Sequence, residues 1–297
     1  MSVQHTRWVL LAPATFVVLW STGFIGAKFG LPYAEPFTFL LWRFVLVVAL
    51  LLALALAMGA PWPKTRKETA HIAVAGLLLH GVYLGGVFGA IHHGVSAGVM
   101  ALIAGLQPVL TAVAAGPVLG ERVRVRQWLG FALGLAGVLL VVQHRLSSGA
   151  TSATGYALAF AALAGITAGT LYQKRFCSNM DLRSGGVIQF AAAALAMAIL
   201  APMTEAMVVQ WTPQFVFALG WLVLVLSLGA ITLLYLLIRH GEAARVSSLF
   251  YLVPPTTALM AYGMFDERLT GTALLGMLVA VIGVALVVSG ARGAGAR

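Results

Sequence analysis

The chain has 297 residues, of which 61% are hydrophobic and only 9% charged, and its mean hydropathy is +0.99. A soluble domain is nearer half apolar and a quarter charged, so this composition excludes a water-facing fold and implies a polytopic membrane protein. The single cysteine, Cys177, excludes a disulfide framework and a cysteine-based metal site within one chain, and the net charge of +10 has to be explained by where the charges fall.

A helix needs about 20 apolar residues to cross the hydrocarbon. Such runs occur at roughly 8–29, 35–58, 70–91, 95–118, 127–144, 153–174, 184–203, 214–239, 245–264 and 270–290, joined by short segments rich in Gly, Pro and charge. The first run is too long and lacks the small-residue cleavage site of a leader, so it reads as a spanning helix. It carries Trp20, too deep for an interfacial aromatic belt, and ends in WSTGFIGAK with Lys28 near its end. Arg43 stands about eight residues into the second run, ~11 Å below the outer end at the helical rise. At that depth it calls for a bound carboxylate, a structural partner such as Glu35, Asp266 or Glu267, or snorkelling to the interface. In the third run His80 and Tyr83 are three residues apart and so share a face, turned either to a cavity or to a buried hydrogen bond between helices.

GVSAG at 94–98 matches the pattern of a hydrolase nucleophile elbow. That device needs a strand-to-helix turn and an arranged acid, whereas here the motif opens a membrane helix, so hydrolysis is not expected. Pro108 in the fourth run and Pro254-Pro255 in the ninth stand mid-span, with Gln107 and Tyr251 beside them. A proline there removes a backbone donor and bends the helix, which either frees carbonyls for a ligand or a gate or simply serves packing. Glu121 and Glu267 follow these two runs.

With the N-terminus placed in the cytoplasm, 14 of the 18 basic residues fall in cytoplasmic segments, which fits ten helices with both termini inside. The basic balance then marks a membrane face and not nucleic-acid binding. None of the eight carboxylates lies mid-membrane. Ion coupling commonly uses buried acids, so facilitated diffusion is the expectation, with His80 the one candidate proton site. No nucleotide-binding loop, metal cluster or catalytic constellation is evident. No cofactor, metal or enzymatic activity is therefore expected.

Glu121-Arg122 recurs as Glu267-Arg268, 146 positions later. The same offset relates Pro108 to Pro254, Gly130 to Gly276, Gly137 to Gly283, Gly23 to Gly169 and Phe44 to Phe190. Five helices per half is an odd number, so the halves enter the membrane from opposite sides. The fold class expected is an all-α polytopic membrane protein with ten transmembrane helices as a 5+5 inverted-topology repeat, divided at 1–146 and 147–297. That architecture belongs to secondary transporters that work by alternating access.

WSTGFIGAK, Arg43 in the second helix and the Gly-Glu-Arg and Asp-Glu-Arg triplets after the fourth and ninth helices, in a ten-helix repeat, resemble the EamA-type branch of the drug/metabolite transporter superfamily. The pattern is most similar to the aromatic amino acid exporters of that branch. The resemblance implies a central cavity lined by helices 1, 3, 4, 6, 8 and 9, with 5 and 10 peripheral. The substrate-contact residues expected in it are Trp20, His80, Tyr83, Gln107 and Tyr251, with Pro108, Pro254 and Pro255 as kinks and Lys28, Arg43, Glu121 and Glu267 as structural or cavity-mouth charges. The implied partners are a small-molecule substrate, an amino acid or similar metabolite, and the lipid bilayer of the inner membrane. Sugar phosphates, nucleotide sugars, drugs and proton-coupled export are the alternatives. A homodimer is neither required nor excluded by the sequence.

Overall fold

The computed structural model describes residues 3–95, 100, 103–120, 123–142, 152–240, 246, 248–265 and 271–292. Within them the chain forms ten helices: α1 (Val3–Gly30), α2 (Pro36–Ala57), α3 (Arg66–His92), α4 (Gln107–Leu119), α5 (Val125–Val142), α6 (Ala153–Phe176), α7 (Leu182–Thr204), α8 (Pro213–Arg239), α9 (Val253–Phe265) and α10 (Gly271–Arg292). Counting described residues only, α2, α3, α6, α7 and α8 are each long and apolar enough to cross a membrane, and α1, α4 and α10 hold shorter apolar stretches. The fold is all-helical and duplicated, as the 146-residue offset requires.

The starts of the helices are written locally. Thr65 accepts from the Glu68 backbone N–H while Glu68 reaches back to the Thr65 backbone, a reciprocal cap that opens α3. Ser152, Asp181 and Thr212 cap α6, α7 and α8 in the same N-terminal position. Arg183 also donates to Asp181 at 2.8 Å, and this pairing holds the Asp181 carboxyl below its ordinary value. α4 stops at Gly120, whose φ of 72° is the left-handed conformation that closes a helix.

α2 begins at Pro36 and has no side-chain cap from its own Glu35. Its cap comes from far along the chain. The Glu205 carboxylate, just beyond α7, accepts from the Phe37 and Thr38 backbone N–H groups at 2.7 Å each and from the Thr38 hydroxyl at 2.7 Å. Glu35 in turn accepts from the Ala206 N–H at 2.8 Å, and Ala34 and Val209 form an antiparallel bridge. The α1–α2 and α7–α8 loops thus close on each other at one end of the bundle. At the other end Lys174 donates to the Ile238 carbonyl at 3.0 Å and Arg239 donates to the Met180 carbonyl, tying α6 to α8.

The packing obeys the repeat. α2 packs on its equivalent α7 and α5 on its equivalent α10, while α1 lies against α8 and α9 as α6 lies against α3 and α4. The α5–α10 contact is made of glycines. A Cβ on Gly130 would stand 2.6 Å from the Gly283 carbonyl oxygen, and one on Gly137 would stand 2.5 Å from that of Gly276. The offset carries Gly130 to Gly276 and Gly137 to Gly283, so these two contacts are one contact seen twice, and the pseudo-twofold passes through this helix pair. Small residues let the backbones touch. Outward, α10 exposes Leu274, Leu275, Leu278, Val281 and Ile282, an apolar face suited to lipid.

Candidate functional site

The described helices α1, α2, α3 and α8 line a partly open cavity with about 430 Å³ of empty space. Helix 2 contributes to its wall where the resemblance implied helices 4, 6 and 9.

One wall is aromatic. Trp20 of α1 and Tyr83 of α3 lie parallel, 6.1 Å apart with 12° between their planes. Phe250 stands edge-on to Trp20 at 5.3 Å and fixes its tilt from behind. Phe24 and Phe88 complete the apolar lining. The same lining carries a charge. Arg43 reaches into the cavity from α2 and is 1% exposed. Its Nε donates to the Ser227 hydroxyl at 3.0 Å, while Nη1 and Nη2 have no hydrogen-bond partner among the described residues. Glu35, one partner the sequence suggested, is held by Ala206 instead, and Asp266 and Glu267 lie outside the described residues. None of the residues lining the cavity carries a carboxylate.

Two features of the wall have no clear signature in the sequence. α3 widens into a π-helical turn over Leu77–Val82, and α8 does so over Leu222–Ala230. The 146-residue offset carries 77–82 onto 223–228, so the widened turns are equivalents. Such turns insert a residue without ending the helix, and they recur at functional sites. In α8 the wide turn lets the Ser227 hydroxyl donate to the Leu222 carbonyl, five residues back, at 2.9 Å, which orients its oxygen toward Arg43. The residue equivalent to Arg43 is Gln189, also buried, whose Nε2 donates to the Gln173 side chain at 2.7 Å and whose Oε1 has no partner among the described residues.

The expected site residues divide. Trp20, Tyr83 and Arg43 meet in the cavity. His80 shares a hydrogen bond with the Tyr235 hydroxyl at 2.8 Å and stacks on Phe190 with centroids 4.1 Å apart, the buried interhelical arrangement that was one of its two sequence readings. Gln107 is fully buried at the start of α4, and Tyr251 is fully buried against Gly134 of α5; neither lines this cavity. Pro108 stands in the first turn of α4 after a turn at 105–106, and Pro254-Pro255 in the first turn of α9 after a 3₁₀ segment, Leu249–Leu252. Both spans are thus interrupted just before their prolines. Lys28 lies in α1 with its side chain undescribed, and Glu121, Glu267 and most of GVSAG fall outside the described residues.

A family model for the EamA-like transporter family matches twice, over residues 6–143 and 153–289. The chain belongs to the EamA-like transporter family. It is a membrane transporter and not an enzyme, and the two matches are the two halves seen in the fold. Curated relatives match more than nine-tenths of its length. It is 30% identical to an "Uncharacterized transporter YvbV" of Bacillus subtilis over 96% of this chain and 92% of that one. It is 27% identical to a "Probable amino-acid metabolite efflux pump" of Escherichia coli over 93% of each chain. It is also 27% identical to an "Uncharacterized inner membrane transporter YedA" of Escherichia coli over 92% of this chain and 88% of that one. A crystal structure shares the fold with a TM-score of 0.79 at 22% identity, covering 95% of this chain and 96% of that one.

Proposed function

We propose that this transporter exports small neutral amino acids with aromatic or other apolar side chains, by alternating access through the cavity between its halves. The observation that carries the reading is an aromatic wall together with one buried cation, Arg43, and no other Lys or Arg among the described residues lining the cavity. A sugar phosphate or nucleotide sugar would bring about two negative charges into low dielectric, more than one guanidinium neutralises. A zwitterion has no net charge, and its side chain packs on rings. The likeness to an amino-acid metabolite efflux pump points the same way, and the likeness to an inner membrane transporter supports that membrane as its location.

In this reading Trp20 and Tyr83 flank the substrate side chain. His80, Gln107 and Tyr251 supply polar contacts as the cavity widens, and the interruptions before Pro108, Pro254 and Pro255 are the flexing points. Lys28, Glu121 and Glu267 are charges at the mouths. The halves are 1–146 and 147–297, both termini are cytoplasmic, and flux is uncoupled. The test is a flux screen in liposomes across amino acids, sugar phosphates and nucleotide sugars. Neutral amino acids should cross, and Tyr83→Ala or Gln107→Ala should reduce their flux with insertion intact. Carriage of sugar phosphates without any neutral amino acid, or unchanged flux in both variants, refutes the assignment.

A further inference from the structure

We infer that the cavity selects its substrate by a carboxylate bound to Nη1 and Nη2 of Arg43, with an apolar or aromatic body against Trp20 and Tyr83, and that it does not read an ammonium group. The inference rests on the cavity proposed above as the transport site, and it sets the substrate class as organic carboxylates, deaminated acids included.

The argument begins with the guanidinium. It has five N–H donors in a planar fork whose edge matches a carboxylate in two parallel hydrogen bonds. In this chain one nitrogen, Nε, is held by Ser227 and the two terminal nitrogens have no partner among the described residues, at 1% exposure. Buried charges in proteins are otherwise paired. The fork is also held in place. Ser227 is oriented by its bond to the Leu222 carbonyl across the wide turn of α8, so the Nε contact orients the guanidinium and leaves its two terminal nitrogens, buried, without a hydrogen-bond partner among the described residues. A donor held in advance loses little freedom on binding.

The ring wall supplies the second half. Trp20 and Tyr83, with Phe24 and Phe88 beside them, bury an apolar body but offer no anion. An α-ammonium would therefore rely on ring faces and carbonyl oxygens, while the carboxylate finds a full counter-charge. Removing the ammonium should leave recognition standing, and removing the carboxylate should abolish it. The equivalent position in the other half holds Gln189, so Arg43→Gln installs a side chain that this fold already accommodates at the matching place.

The test uses the full chain, purified and in liposomes, with three probes that share one ring: L-phenylalanine, 3-phenylpropionate and phenethylamine. Flux and ligand-induced thermal stabilisation are both read, because ligand bound to the folded state raises the melting temperature whether or not it is carried. The expected result is stabilisation and flux with both carboxylates and neither with the amine. Arg43→Lys, which keeps the charge but loses the fork, should weaken both carboxylates at least tenfold, and Arg43→Gln should lose them. Ser227→Ala should weaken them less, by disorienting the fork. Carriage of phenethylamine comparable to L-phenylalanine, or undiminished 3-phenylpropionate stabilisation in Arg43→Lys, overturns the inference while leaving amino acid export intact. Carriage of 3-phenylpropionate alone, dependent on Arg43, keeps the inference and removes amino acid export. Failure of both carboxylates removes both.

Discussion

Gly137→Ala should destabilise this protein, while the chemically identical Gly220→Ala should not. A Cβ at Gly137 meets the Gly276 carbonyl oxygen at 2.5 Å and the Ala280 nitrogen at 2.5 Å, where ordinary contact begins at 3.4 Å. Both atoms are backbone, so no side chain can rotate away, and α5 and α10 must part by about the shortfall, ~0.9 Å. A gap of ~0.5–1 Å forfeits a quarter to a half of each contact of ~0.1–0.2 kcal/mol, so some 20 atom pairs across the seam lose about 1 kcal/mol. Overpacking strain brings the cost to about 1–3 kcal/mol. At Gly220 nothing lies within 4 Å, and alanine gains ~0.5–1 kcal/mol of helix stability. The two variants should therefore differ by about 1.5–4 kcal/mol. Thermal unfolding in detergent, followed by tryptophan fluorescence, reads this as several degrees at ~2–4 °C per kcal/mol. A Gly137→Ala protein as stable as Gly220→Ala would show that α5 and α10 do not meet along this seam.

Topology is testable by labelling: Lys64→Cys, Arg124→Cys and Arg183→Cys should react only from the cytoplasm and His92→Cys only from outside, and cytoplasmic labelling of His92→Cys refutes the arrangement. Background should be low, because burial pushes the Cys177 thiol up to about 11. Substrate flux into liposomes should equilibrate and not concentrate under a pH or sodium gradient, since none of the chain's eight carboxylates falls in mid-span; uphill accumulation refutes uncoupled transport. Glu205→Gln should cost about 1–3 kcal/mol, because charge-assisted bonds to the α2 N-terminus become neutral ones, and an unchanged melting temperature shows that the cap is not formed in the folded protein. Asp181 is held low by its bond from Arg183, so its contribution is present above the ordinary carboxylate value of about 3.9 and is lost as pH falls through the lower folded value. Asp181→Asn should flatten the acid limb of a stability–pH curve; a curve that keeps the wild-type slope refutes the pairing.

Much of the fold was legible because lipid imposes simple rules. Apolar runs near 20 residues fixed the number of helices, and an offset that survives in Gly, Pro and Phe positions exposed the duplication. The fourth span was less legible. Its apolar run continues through 105–106, yet α4 starts at Gln107, because Pro108 cannot donate backward and is accommodated in a first helical turn. The cavity was half legible. Trp20, Tyr83 and Arg43 stood out as deep polar or aromatic residues, but depth does not tell which neighbour a side chain meets, and His80 turned to Tyr235. The paired wide turns escaped notice because one extra residue in a helix leaves the apolar pattern almost unchanged. Even so, Gly81 and its equivalent Ser227 fall in the two wide turns. Glu205 capping α2 from 167 positions away is a tertiary event with no local sequence sign.

The exchange of Arg43 for Gln189 between equivalent positions has a consequence for traffic through the molecule. Two halves with one backbone plan can trade shapes, but they cannot trade electrostatics, because a guanidinium and an amide do not interchange. In the proposed transport reading an anion meets a full positive charge at Arg43, whereas the equivalent position carries only a dipole. Its landscape is tilted although its scaffold is symmetric. In that reading a carboxylate is held beside Trp20 and Tyr83, and the equivalent place at Gln189 offers it no counter-charge.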